Sequence, residues 1–238
     1  MNQSVRYRLQ VSMIICACLG SATNASIMHL DSSSRIITTD FDTFGFGDPN
    51  FGEQLFSTVS APTEYNQWDY AEKQEIMNAS IDSVHSSQAT TTELVAYGSQ
   101  VGSADPGDLN YEIFTLVGFH QYQVSFTLSE STTFALQATL EAQNAQSEVR
   151  LVQTNGDDPY LYTSVTNNGE QSINELITLE AGSYSFSLTG TLNAGGSGII
   201  PPYTGSAVFD GSLRVIPSPS GFMAMGMVGM MTSRIRRR

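Results

Sequence analysis

The sequence predicts an all-β protein, an antiparallel β-sandwich of jelly-roll type with an N-terminal signal helix and a single C-terminal transmembrane helix. Three observations support this prediction. Apolar residues recur mostly at every second position, turn-forming residues separate these runs, and both ends differ in composition from the rest. The predicted division is a signal peptide at 1–25, a β-sandwich domain at 26–216 and a C-terminal tail at 217–238.

Alternation of apolar and polar residues is clearest in 132–142 and 183–192. The residues predicted to share a buried face are Phe134, Leu136, Ala138 and Leu140 in the first run, and Tyr184, Phe186 and Leu188 in the second. Further strands are predicted at 36–39, 55–61, 76–84, 91–101, 113–119, 122–128, 149–153, 161–166, 172–179 and 207–216. Ten or more short strands without a helical stretch favour a sandwich, with a barrel as the alternative.

Turn-forming residues separate the predicted strands. Asp, Asn, Gly and Pro cluster at 105–108, 155–159, 167–169 and 195–198, where they supply positive φ or a fixed proline φ. The segment 40–52 mixes aromatics with Gly and Asp, which predicts a long irregular loop. A strand is expected to resume at Trp68 and Tyr70.

The N-terminus has the three parts of a secretion signal. Arg6 and Arg8 give a basic start, 11–19 is apolar, and small residues follow. We expect signal peptidase to cleave after Ala25, with Ala22 as the alternative. The apolar stretch of about nine to twelve residues is too short to span a bilayer as a helix.

Both cysteines, Cys16 and Cys18, lie inside this signal, so the mature chain would contain none. Disulfides and thiolate metal sites are then excluded. Residues 15–18 are loosely similar to a lipobox, which makes lipidation of a cysteine the alternative processing.

The predicted domain is strongly acidic. Residues 26–216 hold four basic residues and twenty-three acidic ones, a formal charge of −19. Nucleic acid binding needs clustered Lys and Arg, so the composition excludes a nucleic acid partner.

Catalytic motifs are absent from the sequence. His29, His85 and His120 are far apart and lack metal-binding spacing, which predicts surface or strand residues instead of ligands. No nucleophilic serine motif or phosphate loop occurs. The sequence therefore predicts a protein that is not an enzyme and needs no cofactor.

Calcium is the one cation for which candidate ligands can be named. They are Asp40, Asp42, Asp48, Asp157 and Asp158, which stand among glycines in predicted loops. Aspartate is also common in turns for backbone reasons, so these positions alone do not define a site.

Exposed aromatic residues are typical of sugar-binding sandwiches. The candidates here are Trp68, Tyr65, Tyr70, Tyr160, Tyr162 and Tyr203, with Tyr160 and Tyr162 predicted on one face of a strand. Packing across strands is the competing explanation for such a pair.

The C-terminal tail has an apolar helix at 221–233 after a proline-rich entry and before a basic cluster at 234–238. It resembles the PEP-CTERM sorting signal. The matching residues are Pro217, Ser218 and Pro219 at the motif, where Ser218 stands in place of the family's Glu, and Arg234, Arg236, Arg237 and Arg238 in the cluster. The resemblance implies transient anchoring in the inner membrane and processing by an exosortase-like protease. An ordinary membrane anchor is the alternative.

Together these features predict an exported bacterial β-sandwich protein of the cell surface, envelope or extracellular matrix. Its biochemical activity is not encoded in any motif. The alternatives are a carbohydrate-binding module that contacts extracellular polysaccharide and, in another class, a glycoside-acting enzyme with two carboxylates about 5 to 10 Å apart.

Overall fold

A computed structural model describes residues 28–45, 48–62, 65–76, 79–104, 111–154, 156, 159–197 and 203–217. Within these ranges all regular structure is β-strand, and no helix there could cross a membrane. The predicted signal peptide at 1–25, with Ala25, and the predicted apolar helix at 221–233 lie outside the described residues.

The described chain forms twelve strands. They are β1 (His29–Gly45), β2 (Asp48–Ser60), β3 (Trp68–Ile76), β4 (Ala79–Ala89), β5 (Glu93–Ala104), β6 (Tyr111–Leu128), β7 (Thr132–Gln143), β8 (Ala145–Gln153), β9 (Pro159–Thr166), β10 (Gly169–Leu179), β11 (Gly182–Ser197) and β12 (Tyr203–Val215). Every pairing between them is antiparallel.

The strands form two six-stranded sheets. Sheet A has the order β2-β1-β6-β11-β8-β9, and sheet B has the order β10-β7-β12-β5-β4-β3. The predicted antiparallel β-sandwich is therefore confirmed. The strands β5 to β12 follow a jelly-roll order, with β5-β12-β7-β10 in one sheet and β6-β11-β8-β9 in the other.

Four strands extend this arrangement at one side. The β1–β2 hairpin is added to sheet A beside β6, and the β3–β4 hairpin is added to sheet B beside β5. Since both hairpins are added at the same side, they form a second pair of facing ribbons next to the jelly-roll core.

The core lies between the sheets and is built from the residues that alternation predicted. Phe134, Leu136 and Leu140 of β7 are fully buried, as are Phe186 and Leu188 of β11. Rings from the two sheets meet there. The Phe126 ring of β6 is 6.1 Å from the Phe134 ring of β7, measured between centroids. Apolar burial of this kind is the main source of stability in such a fold.

The prediction of a loop at 40–52 is wrong. Strands β1 and β2 run through this segment, apart from 46–47, which lie outside the described residues. Asp40 pairs with Phe56 on one side and with Val117 on the other. Tertiary pairing on both edges of β1 therefore overrides the local turn signals of Gly and Asp.

Several strand boundaries also differ from the prediction, and β11 continues to Ser197, through most of the turn predicted at 195–198. The runs 113–119 and 122–128 are parts of one strand, β6, because His120 continues its buried face instead of ending it. The run 76–84 belongs to two strands, since β3 ends at Ile76 and pairs antiparallel with Ala79 at the start of β4.

The predicted turn at 167–169 is confirmed. Asn167 and Asn168 both have positive φ, 51° and 73°, and they connect β9 in one sheet to β10 in the other. Asparagine tolerates this left-handed region better than most residues because its side chain can bond the local backbone.

Candidate functional site

A cleft opens between the two added hairpins. Its walls are Ile37 and Thr39 of β1, Ser57 and Val59 of β2, Tyr70, Glu72 and Gln74 of β3, and Ser83 of β4. The space between the walls, counted together with open solvent at the mouth, is about 180 Å³, and the slot itself is too narrow to enclose a water molecule. The Thr39 hydroxyl donates a hydrogen bond to the Gln74 side-chain oxygen and so links the two walls.

The alternation of β3 explains the composition of one wall. Trp68, Tyr70, Glu72 and Gln74 occupy every second position, and side chains at this spacing share a face of the strand. The intervening residue Lys73 is exposed and forms an ion pair with Glu75. The cleft side of β3 therefore carries two aromatic rings followed by a carboxylate and an amide.

Trp68 and Tyr70 form a nearly parallel aromatic pair. Their ring centroids are 5.9 Å apart with an angle of 25° between the ring planes, and both side chains are half-buried. The Tyr70 hydroxyl donates to the Glu72 carboxylate. An apolar surface thus lies beside hydrogen-bonding groups, which is the usual composition of a small-ligand site.

Arg35 holds Trp68 from the β1 side. Its guanidinium carbon lies 5.9 Å from the Trp68 ring centroid, within the range of a cation–π interaction. The guanidinium also donates to the backbone oxygens of Asn66, at 2.8 Å, and Pro62, at 3.2 Å. These bonds fix the segment that leads into β3 and thereby position Trp68.

Behind Trp68, two buried histidines join the sheets. His85 Nδ1 of β4 and His120 Nε2 of β6 are 2.5 Å apart, and His85 Nε2 lies 2.7 Å from the Ser87 hydroxyl. The Trp68 ring is 4.6 Å from the His85 ring, and the Phe209 ring is 4.8 Å from the His120 ring. A continuous row of rings therefore connects the cleft to the core.

Burial keeps this histidine pair uncharged. It lowers the pKa of His85 from 6.5 to about 4, helped by the positive charge of Arg35 and opposed by Asp69. Burial also lowers the pKa of His120 well below its usual value, with a smaller contribution from His85. Both imidazoles are therefore neutral at pH 7.

Two glycines make room for the polar side chains between the sheets. A Cβ at Gly98 would lie 2.3 Å from His120 Cε1, and a Cβ at Gly118 would lie 2.7 Å from Gln100 Oε1. Each large side chain thus fills the space left by a glycine on the facing strand, which sets the sheets in a fixed register.

The other predicted aromatic candidates do not reach the cleft. Tyr160 and Tyr162 lie on β9, at the opposite edge of sheet A, where the pairing with β8 shifts register between Leu151 and Val152. The Tyr160 ring contacts Tyr184, while the Tyr162 hydroxyl points to Glu148. Tyr65 packs against the core, and the Tyr203 hydroxyl donates to the Asn144 backbone oxygen.

The calcium candidates are not arranged as expected. Asp40 and Asp42 lie within β1 and Asp48 starts β2, so the premise that they stand in loops is wrong. Asp157 and Asp158 lie outside the described residues. Among the residues that the structure describes, no cluster of three metal-ligating side chains occurs. Calcium binding stays a prediction.

The predicted processing site lies at the boundary of the described chain. Pro217 is exposed just after β12, whereas Ser218, Pro219 and the arginines Arg234, Arg236, Arg237 and Arg238 lie outside the described residues.

No family model matches this chain, and no curated protein matches it. Among solved structures, it is similar to TmCBM61 in complex with β-1,4-galactotriose, at 11% identity over 50% of this chain and 82% of that chain, with a TM-score of 0.29. It is also similar to the enzymatically active domain of bacteriophage CBA120 tailspike protein 4, at 11% identity over 58% of this chain and 19% of that chain, with a TM-score of 0.25. A third similarity, to infectious bursal disease virus Gx strain, has a TM-score of 0.15 at 12% identity over 91% of each chain. TM-scores this low carry no argument about function.

Proposed function

We propose that this chain is a non-catalytic glycan-binding protein and that the cleft between the two added hairpins is its binding site. The observation that carries the proposal is the aromatic pair Trp68 and Tyr70 beside a polar wall. An apolar ring face can pack against the C–H face of a sugar, while neighbouring polar groups bond its hydroxyls.

The polar wall offers both donors and acceptors. Glu72 and Gln74 stand next to the aromatic pair, and Ser57 and Ser83 add hydroxyls from neighbouring strands. The bond between Thr39 and Gln74 would exchange for bonds to sugar hydroxyls when a ligand enters. Because the slot is too narrow to enclose a water molecule, we expect a sugar to bind at its open mouth, against Tyr70, Glu72 and Gln74, and not inside it.

The number of carboxylates that line the cleft favours glycan binding over glycoside hydrolysis. Glu72 is the one carboxylate among the residues that line the cleft in the described structure. Glycoside hydrolysis usually requires two acids on either side of the scissile bond. The wall composition therefore supports the non-catalytic proposal over the glycoside-acting alternative.

Glycan binding should depend on the aromatic pair. Isothermal titration against a panel of soluble polysaccharides should find at least one that binds. Tyr70→Ala and Trp68→Ala should each weaken that binding about tenfold or more, since central aromatic contacts typically carry 2 kcal/mol or more. Tyr97→Ala removes an equally large side chain that is 39% exposed on the outer face of sheet B, and it should leave affinity unchanged.

Trp68 also packs on His85, so Trp68→Ala could weaken binding by destabilising the fold. A thermal melt of each variant shows whether the protein is still folded under the conditions of the titration. If all three variants bind as the parent does, the site is not in this cleft. If no glycan binds at all, the proposed glycan-binding function is wrong.

We also propose that the protein is exported and delivered to the cell envelope or extracellular matrix. The predicted secretion signal at 1–25 and the PEP-CTERM-like tail predicted at 217–238 support this location. Signal peptidase and an exosortase-like protease would then be its processing partners.

Intact-mass analysis of native protein from fractionated cells should show both segments removed. A mass that includes 217–238 would indicate an ordinary anchor instead.

A further inference from the structure

The cations of the β-sandwich are few enough to locate one by one. Between 26 and 216 there are four, Arg35, Lys73, Arg150 and Arg214. All four lie in residues that the structure describes. Their positions therefore determine whether any cation can reach a ligand in the cleft.

Two of the four form ion pairs and are not among the residues that line the cleft. Lys73 pairs with Glu75 on β3, and Arg214 of β12 pairs with Glu93 of β5. A third, Arg150, lies on β8 opposite Tyr162, and three strands of sheet A separate it from β2.

Arg35 contacts Trp68 beside the cleft, and its guanidinium is already engaged. It lies 4% exposed beneath Trp68 and donates to the backbone oxygens of Asn66 and Pro62. Moving it toward a ligand would break both of these bonds and the contact with Trp68.

The charge within the cleft has the opposite sign. Glu72 lines the wall, and the surrounding domain carries a formal charge of −19. A carboxylate or sulfate on a sugar would be repelled by Glu72 at close range and by the field of the whole domain at longer range.

We infer that the ligand is an uncharged glycan and that acidic polysaccharides are excluded from the cleft. This inference rests on the proposed glycan-binding function and names its substrate class. A neutral sugar needs no counter-charge. Its C–H face packs on Tyr70, which Trp68 supports by stacking, and its hydroxyls donate to Glu72 and Gln74.

The test compares two sets of polymers by isothermal titration. The neutral set contains galactan, mixed-linkage glucan and xylan, and the acidic set contains polygalacturonate and alginate. We expect saturable binding from the neutral set alone, with an affinity that changes less than about twofold between 0.05 and 0.5 M salt. Binding of polygalacturonate or alginate through Tyr70 would overturn the inference and leave the glycan-binding function standing. Failure of both sets would remove the function and the inference with it.

Glu72→Gln distinguishes a neutral ligand from a cationic amino sugar. The amide still bonds sugar hydroxyls, so neutral binding should persist within about threefold, whereas Glu72→Ala should weaken it about tenfold. Glu175→Gln on the exposed β10 is the matched control. Loss of binding in Glu72→Gln as large as in Glu72→Ala would show that the carboxylate charge is required, and would contradict an uncharged ligand.

Discussion

The free energy of unfolding should fall as the pH is lowered from 7 to 5, because the folded chain holds two buried histidines in their neutral form. His85 and His120 are about 1% exposed and face each other across the sandwich. Folding therefore excludes the protons that these imidazoles would otherwise bind.

The direction of this change in stability follows from the pKa values of His85 in the unfolded and the folded chain. In the unfolded chain its pKa is about 6.5, and in the folded chain burial lowers it to about 4. Below pH 6.5 the unfolded state binds more protons, so acid stabilises that state. The stabilisation by neutral His85 is complete above pH 6.5 and is lost progressively toward pH 4.

The size of the loss in stability follows from the shift in pKa, because a shift of one pKa unit corresponds to about 1.36 kcal/mol of free energy. Between pH 7 and 5, His85 alone should account for about 2 kcal/mol of lost stability, and His120 adds to it in the same direction. Urea unfolding at closely spaced pH values measures the slope.

Two variants test the assignment to this pair. His29→Gln removes a histidine whose side chain is 82% exposed, so the slope that persists in this variant belongs to the buried pair. The double variant His85→Leu and His120→Leu should flatten the slope. If that variant does not fold, NMR titration of the parent gives the answer. Imidazole signals of His85 or His120 that titrate near pH 6.5 would contradict the prediction.

Phe126→Ala should lower the free energy of unfolding by about 3–5 kcal/mol. Phe126 is fully buried on β6, where its ring lies 6.1 Å from Phe134 in the facing sheet and 5.7 Å from Tyr184 on the neighbouring strand. Removing the ring leaves a cavity between the sheets, in addition to the lost apolar burial. Urea unfolding with an unchanged m-value measures the loss.

Phe56→Ala is the matched control, since it removes the same side chain from a position that is 64% exposed on β2. Its effect should stay within about 0.5 kcal/mol. Similar losses in the two variants would mean that the sheets do not pack as described.

Much of the fold could be predicted because its strands have one buried face. Side chains such as Leu136 and Phe186 stand at every second position and are buried as expected. Asn167 and Asn168 mark a turn through their own backbone preferences. Both signals are local, and local signals can be read from one sequence.

What the sequence could not show depends on contacts between distant strands. Gly and Asp in 40–52 favour a loop, yet pairing with β2 and β6 makes strands of that segment. His120 interrupts an apolar pattern, and its burial becomes understandable only once His85 is known to face it.

Part of the candidate site could be predicted from the sequence. Trp68 and Tyr70 could be named as sugar-binding candidates, and extending the same alternation would have reached Glu72 and Gln74 on the same face. Thr39 and Ser57 could not be found in this way, since they face β3 only because both hairpins are added at one side of the jelly roll.

The fluorescence of Trp68 tests the central proposal most directly, because it is the single tryptophan of the chain and stands beside the cleft. Titration with a glycan that binds should change its emission along a saturable curve, with the midpoint that calorimetry gives. Quenching by acrylamide should decrease over the same range. Calorimetric binding without any change in the emission or the quenching of Trp68 would place the glycan elsewhere and contradict this account.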